Sequence, residues 1–293
     1  MSDFLQFLIG GLVLGSMYAI IAMGFVLIYK STTVLNFAQG EFLMVGAYVC
    51  LCLMVSYEIP FGWAFVLTLA VSALLGLATE ALVLRPIAGE PIVSLIMATV
   101  GLSSILRGVV IAAWGNDARP FPEIFPSEPY LVAGVAVAPV YLWAVGASLS
   151  LMIVWSLFFK TTRTGLAMRA AASDRQAALS LGISLRRVFA LAWGISAVVS
   201  SVGGVIIGVM NGVGISLAEF GLKIFPAVIL GGLDSIVGAI LGGLAVGILE
   251  NLCGGYLDPF LPAAKQITPF LLLVLILMVR PYGLLGSREI ERV

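Results

Sequence analysis

The sequence predicts an all-α polytopic membrane protein, and three observations carry that assignment. Of its 293 residues, 61% are hydrophobic and only 10% charged, whereas a soluble domain carries about 25% charged residues. Apolar runs of about 20 residues recur along the chain, each long enough to cross a hydrocarbon core of about 30 Å as a helix. Short strands of alternating polarity, which a membrane β-barrel would need, are not evident.

Hydropathy and chain breakers predict eight clear transmembrane helices, at 4–29, 41–57, 62–84, 93–115, 139–159, 188–211, 234–253 and 267–280. The first begins "MSDFLQFLIGGLVLG", with no basic residue and no A-x-A site, so no cleaved signal peptide is expected. Asn36, Gln39 and Gly40 lie just ahead of the second, and Glu41 opens it. Between the fourth and fifth, residues 116–138 carry Pro120, Pro122, Pro126 and Pro129, which predicts a stiff, irregular surface loop. Residues 217–231, with Glu219, Lys223 and Pro226, form one further short or broken helix of about 22 Å. Whether it crosses or re-enters is open at this level. Asp234 is placed to cap the helix after it.

Net charge is zero, but the 15 basic residues are unevenly placed. With the N-terminus outside and 217–231 crossing, the inside loops hold Lys30, Arg85, Lys160, Arg163, Arg169, Arg175, Arg186, Arg187, Arg280, Arg288 and Arg292. The outside loops hold only Arg119 and Lys265. This asymmetry puts the C-terminus in the cytoplasm. The chain contains no histidine, which removes imidazole catalysis, proton shuttling and imidazole metal sites. Cys50, Cys52 and Cys253 lie in apolar segments without metal-ligand spacing and read as packing residues. A phosphate loop of the form G-x-x-x-x-G-K-[ST] is absent.

The inside loop 160–187 carries six basic residues and the stretch "DRQAALSLGIS". Ser173 followed by Gln176 fits a capping box, and Gly182 a C-terminal stop, giving a helix of about eight residues. Ala177, Ala178 and Leu181 share one face, bounded by Ile183, while Arg175 points elsewhere. Such a face can fill a partner's groove or lie on the bilayer, and the chemistry alone leaves both open.

Four motifs carry a resemblance. "QAALSLG", Gln176 to Gly182, resembles the E-A-A-x-x-x-G coupling motif of bacterial ABC importer permeases, with glutamine in place of glutamate. "VLNFAQGEFLMVGAY" (34–48), "FPAVILGGLDSIVGAILGG" (225–243) and "RPYGLLG" (280–286) are similar to branched-chain amino acid permeases, and the similarity runs end to end. The resemblance implies a single transmembrane permease domain over 1–293 in a bacterial inner membrane. It implies four partner types: a second homologous permease, two cytoplasmic ATPases, a periplasmic binding protein and the lipid bilayer, with no nucleic acid. The loop helix would dock in the ATPase and loop 116–138 would face the binding protein. ATP and magnesium would then sit on the ATPases, leaving this chain without cofactor, metal or catalytic residues.

Charges inside spans are costly unless paired or wetted. Arg107 or Lys223 is expected to pair with Glu250 or Glu219, either locking helices together or contacting substrate. Glu80 and Arg85 read as interfacial charge balance. Asn36, Gln39, Gly40 and Glu41 read either as a polar cap at the positive end of the helix dipole or as an inner gate on a broken helix. Gly204 with Gly208, and Gly238 with Gly242, form small faces for close helix packing. A weak echo between "NFAQGEF" and "ISLAEFG" raises the possibility of an inverted repeat. A permease for urea, amides or aromatic acids, or a stand-alone secondary transporter or channel, are the competing functions. The latter gives no reason for "QAALSLG".

Overall fold

The computed structural model describes residues 2–126, 128–132, 135–280 and 282–286, so Arg288 and Arg292 lie outside the described residues. The chain is helical almost throughout: α1 (Ser2–Thr32), α2 (Gln39–Val55), α3 (Phe61–Thr79), α4 (Ile92–Trp114), α5 (Pro139–Thr161), α6 (Arg163–Ser173), α7 (Arg175–Ser180), α8 (Leu185–Asn211), α9 (Glu219–Gly231), α10 (Ile236–Leu257) and α11 (Ala264–Val279). Each expected span coincides with a helix, its ends shifted by a few residues.

The expected count of eight long spans is corrected. Among the described residues, six helices are long and apolar enough to cross a membrane: α1, α3 with its extension to Ile87, α4, α5, α8 and α10. The apolar helices α2 and α11 have 17 and 16 residues, or about 26 and 24 Å, short of a core of about 30 Å. The chain is thus a multi-pass membrane protein, with flanks of α3 and α4 that stay apolar and exposed, as at Val66, Val71, Leu74, Ile105 and Val109.

Local chemistry explains the breaks. Pro86 cannot donate a helical hydrogen bond and its ring crowds the preceding turn. The end of α3 accordingly widens into a π turn at Glu80–Leu84 and tightens into a 3-10 turn at Arg85–Ile87. α8 stops at Gly212, whose φ of 83° lies in the left-handed region, and α9 is reached through a 3-10 turn at Ile215–Ala218. Loop 116–138 is less irregular than expected. β1 (Tyr130–Val132) and β2 (Val135–Val137) pair antiparallel within it, and Arg119 forms an isolated backbone bridge with Val213. The cap of α10 also differs from expectation: Ser235, not Asp234, accepts the Gly238 N–H at 3.0 Å. Ser235 holds the extended N-cap backbone, which puts its short side chain against the first turn.

The chain divides into two compact units. In the unit of Leu27–Ile124 and Ser150–Leu222, α2 packs on α3 and α8. The backbones approach so closely that a Cβ on Gly204 would overlap the Leu43 carbonyl, and one on Gly76 the Trp193 carbonyl. Phe42 and Trp193 meet edge to face at 6.3 Å in its core, with Ile28, Leu102 and Leu106.

In the unit of Met1–Val26, Phe125–Leu149 and Lys223–Val293, the first half of α1 packs on α10, with Gly15 against Gly247 and Ala19 against Gly243. Gly242 abuts the Ala227 carbonyl of α9, and Gly238 abuts Gly231. The segment after α11 returns to α9: Leu284 N–H donates to the Leu230 carbonyl at 2.8 Å and Leu285 N–H to that of Gly231 at 3.1 Å. The motifs "FPAVILGG" and "RPYGLLG" are therefore partners in space.

Candidate functional site

Residues 33–38 interrupt the helix between α1 and α2, and the four gate candidates gather there. Asn36 accepts the Ala38 N–H on Oδ1 at 3.0 Å and donates through Nδ2 to Gln39 Oε1 at 2.9 Å. Gln39 Nε2 donates to Ser196 Oγ at 3.0 Å and Ser200 Oγ at 2.5 Å on α8. Thr99 Oγ1 on α4 accepts the Phe37 N–H at 3.2 Å. Asn36 and Gln39 are fully buried, so each of these bonds replaces one that water cannot make. Gly40 faces Ala218 and Gly221 so closely that a Cβ would overlap the Ala218 carbonyl. The sequence reading missed Thr99, Ser196 and Ser200. Their signal was a hydroxyl spacing inside an apolar span, Ser196 and Ser200 being four apart.

Glu41 turns away from this network. It is buried, accepts from Ser103 Oγ at 2.8 Å and pairs with Arg107 Nη2 at 3.0 Å, both on α4. Arg107 was one of two cations, with Lys223, expected to pair with Glu250 or Glu219. Its partner is instead the gate candidate Glu41, because α4 runs beside α2. The Arg107 side chain is 43% exposed, yet its Nε is buried without a hydrogen-bond partner.

Lys223 meets the expectation. Lys223 Nζ lies 3.5 Å from Glu250 Oε1, and Tyr18 Oη donates to Glu250 Oε2 at 2.7 Å. Glu250 is 1% exposed, and about one and two turns earlier in α10 Gly247 and Gly243 bring that helix against α1. Glu219 is exposed in the first turn of α9 and joins neither pair. Glu80 is buried and bound to Arg85 through two hydrogen bonds.

The loop helix forms, but by a different cap. Ser173 ends α6, and Asp174 is the extended break whose Oδ1 accepts from Gln176 N–H at 2.8 Å and Ala177 N–H at 3.0 Å. A carboxylate placed at a helix start satisfies two orphan donors and complements the dipole. Gln176 thus sits one residue too early to close a capping box, and its exposed side chain is not used in the cap. The helix has six residues rather than eight. Gly182, at φ 77°, ends it: its N–H donates to the Leu179 carbonyl at 2.9 Å and the Ile183 N–H to that of Ala178 at 3.0 Å, the paired bonds of a Schellman stop.

The expected shared face is also divided. Ala178 is buried, whereas Gln176, Ala177 and Leu179 are exposed and Leu181 is 78% exposed. α7 packs on α6 and α8, which consumes Ala178 and leaves the two leucines without cover. Arg175 stacks over Phe189 at 5.7 Å and donates to Thr33 Oγ1 at 3.1 Å. The loop helix is thereby tied to the interrupted segment that carries the gate candidates.

Comparison with known proteins places this geometry. Residues 7–278 match the family model described as branched-chain amino acid transport system / permease component. The chain is 33% identical to the high-affinity branched-chain amino acid transport system permease protein LivH of Escherichia coli K12, covering 99% of this chain and 98% of that one. It is 32% identical, with the same coverage, to the permease protein BraD of Pseudomonas aeruginosa. A probable branched-chain amino acid transport permease of Methanocaldococcus jannaschii is 29% identical over 94% of this chain and 91% of its own. The fold is similar to a chain of PsaBC from Streptococcus pneumoniae in complex with Fab, with a TM-score of 0.52 and 12% identity over 95% of this chain and 92% of that one. A predominantly helical multi-pass chain, matched to one permease family over nearly its whole length, with the three quoted blocks in mutual contact or at a broken helix, belongs to the branched-chain amino acid transport permeases.

Proposed function

We propose that this permease subunit carries leucine, isoleucine, valine or similar apolar amino acids through an ATP-driven, binding-protein-dependent importer. The observation that carries the proposal is α7. It is a short helix closed at both ends, anchored through Ala178, with Leu179 and Leu181 uncovered in a basic loop. Its Ala177, Leu181 and Ile183, with Gln176 alongside and Gly182 shaping the exit, form the docking element for a cytoplasmic ATPase. ATP and magnesium belong to that partner. A push on α7 reaches Thr33 through Arg175, and so the segment that holds Asn36, Gln39 and Gly40, which acts as the inner gate in alternating access.

The half-exposed Arg107 supports an outlet for the path. A guanidinium inside a span does not face lipid, and Gly101 and Gly108 on the same helix have open space beside them. This flank of α4 is covered by the second permease subunit, and Arg107 with Glu41 lines the route between them. In this arrangement the N-terminus lies outside, α9 crosses with the longer helices so that the C-terminus is cytoplasmic, and the chain resides in the inner membrane as one permease domain. Loop 116–138 then meets the periplasmic binding protein.

Co-purification tests the docking assignment. ATPase subunits come down with the wild-type chain, and Leu181→Asp sheds them while the chain stays in the membrane. Undiminished recovery of the ATPases with Leu181→Asp refutes the assignment of α7.

A further inference from the structure

A cavity of about 290 Å³ opens at one end of the unit containing α8, and it shares only Arg175 with the coupling route proposed above. It is lined by Arg85 and Ala88 after α3, Leu95 in the first turn of α4, Arg175 at the start of α7, and Arg186 and Trp193 on α8. Three of the elements that frame it are membrane-length helices meeting at their ends, so it lies at the level where hydrocarbon gives way to headgroups. Its walls are mostly apolar, with Val34, Leu84 and Trp193 buried at its base. Its rim carries three guanidiniums against one carboxylate, Glu80, which Arg85 already occupies. Arg186 is exposed and makes no hydrogen bond or ion pair among the described residues.

We propose that this cavity is a binding site for an anionic phospholipid of the adjoining leaflet, its phosphate on Arg186 and Arg175 and part of one acyl chain against Leu84, Leu95 and Trp193. Charge complementarity selects the headgroup, since basic pockets between spanning helices attract anionic lipid. Shape selects the rest, since the apolar walls of Leu84, Leu95 and Trp193 suit a narrow alkyl chain. An apolar base beneath a cationic rim matches an amphiphile better than a free anion, which would leave the base empty or wet. Bound lipid would brace α3, α4 and α8 at the end where α7 is held, which links lipid composition to docking.

Native mass spectrometry of the detergent-purified full chain tests the site, with phosphatidylglycerol and phosphatidylcholine of identical chains as probes. Wild type binds phosphatidylglycerol in preference to phosphatidylcholine, and inorganic phosphate does not displace it. Arg186→Gln weakens phosphatidylglycerol by about 5-fold, the share of one arginine at an anionic surface, while Arg186→Lys retains it. Ala88→Phe, which fills the mouth, weakens both lipids. Equal binding of the two lipids by wild type, or unchanged phosphatidylglycerol binding in Arg186→Gln, overturns the proposal, and so does full displacement by inorganic phosphate. A protein partner as the true occupant would appear as Arg186→Gln losing the ATPase subunits while keeping its lipid, which also overturns it.

Discussion

Glu250 and Glu41 are both buried carboxylates facing a cation, yet the two surroundings differ in what they leave unfinished. Glu250 is enclosed by glycine-packed helices, accepts from the Tyr18 hydroxyl and meets a Lys223 side chain that is 26% exposed. Glu41 is equally buried, but its Arg107 is 43% exposed and keeps a buried Nε with no partner. Guanidinium offers five donors in a fixed fork, and this chain engages few of them. On the reading proposed here the enclosed pair fastens α9, α10 and α1. The open pair has donor capacity left for something that arrives, such as a carboxylate passing along α4.

The contrast is broken most forcefully at the enclosed pair. Glu250→Ala leaves Lys223 and the Tyr18 hydroxyl facing a void, and removing one partner of a buried pair costs about 3–5 kcal/mol. The expected result is loss of folded chain in a thermal unfolding assay in detergent. Stability near wild type with transport abolished would move Glu250 from fastener to pathway. Gly40→Ala comes next. Its Cβ collides with the Ala218 carbonyl, and overpacking of this kind costs about 1–3 kcal/mol, so unfolding shifts down and uptake falls with it.

Glu41→Gln sharpens the comparison from the other side. The amide keeps the Ser103 bond and drops the charge that orients Arg107, so uptake falls about tenfold, equivalent to about 1.4 kcal/mol, with a smaller shift in unfolding than Glu250→Ala. A shift as large as that of Glu250→Ala would make both pairs fasteners. Tyr18→Phe is the mildest change. It deletes one hydroxyl bond, worth about 1 kcal/mol, and unfolding measured beside the Glu250 variant apportions the enclosed site.

How much of this was legible beforehand depended on the range of the physics. Helices such as α4 and α8 were readable because apolar length is a local property. The Gly182 stop was readable because few residues tolerate its φ of 77°. The Lys223–Glu250 pair could be anticipated as a choice among few intramembrane charges. The Arg107–Glu41 pair could not, since it depends on α2 lying beside α4. Ser196 and Ser200 were silent for a different reason. A helical serine can bond its own preceding turn, as Ser200 does with the Ser196 carbonyl at 2.9 Å, so its presence does not announce a distant partner. The cap at α7 was misassigned between Ser173 and Asp174 because both residues suit an N-cap, and only the end of α6 decides between them.

The central claim is that this permease moves an apolar amino acid when ATPases push on α7. Uptake of radiolabelled leucine into proteoliposomes holding the permeases, the ATPases and the binding protein tests it most directly. Accumulation that requires ATP, and that Leu181→Asp abolishes while the chain remains folded, is the predicted result. Leucine accumulation without ATP, or undiminished by Leu181→Asp, would contradict it.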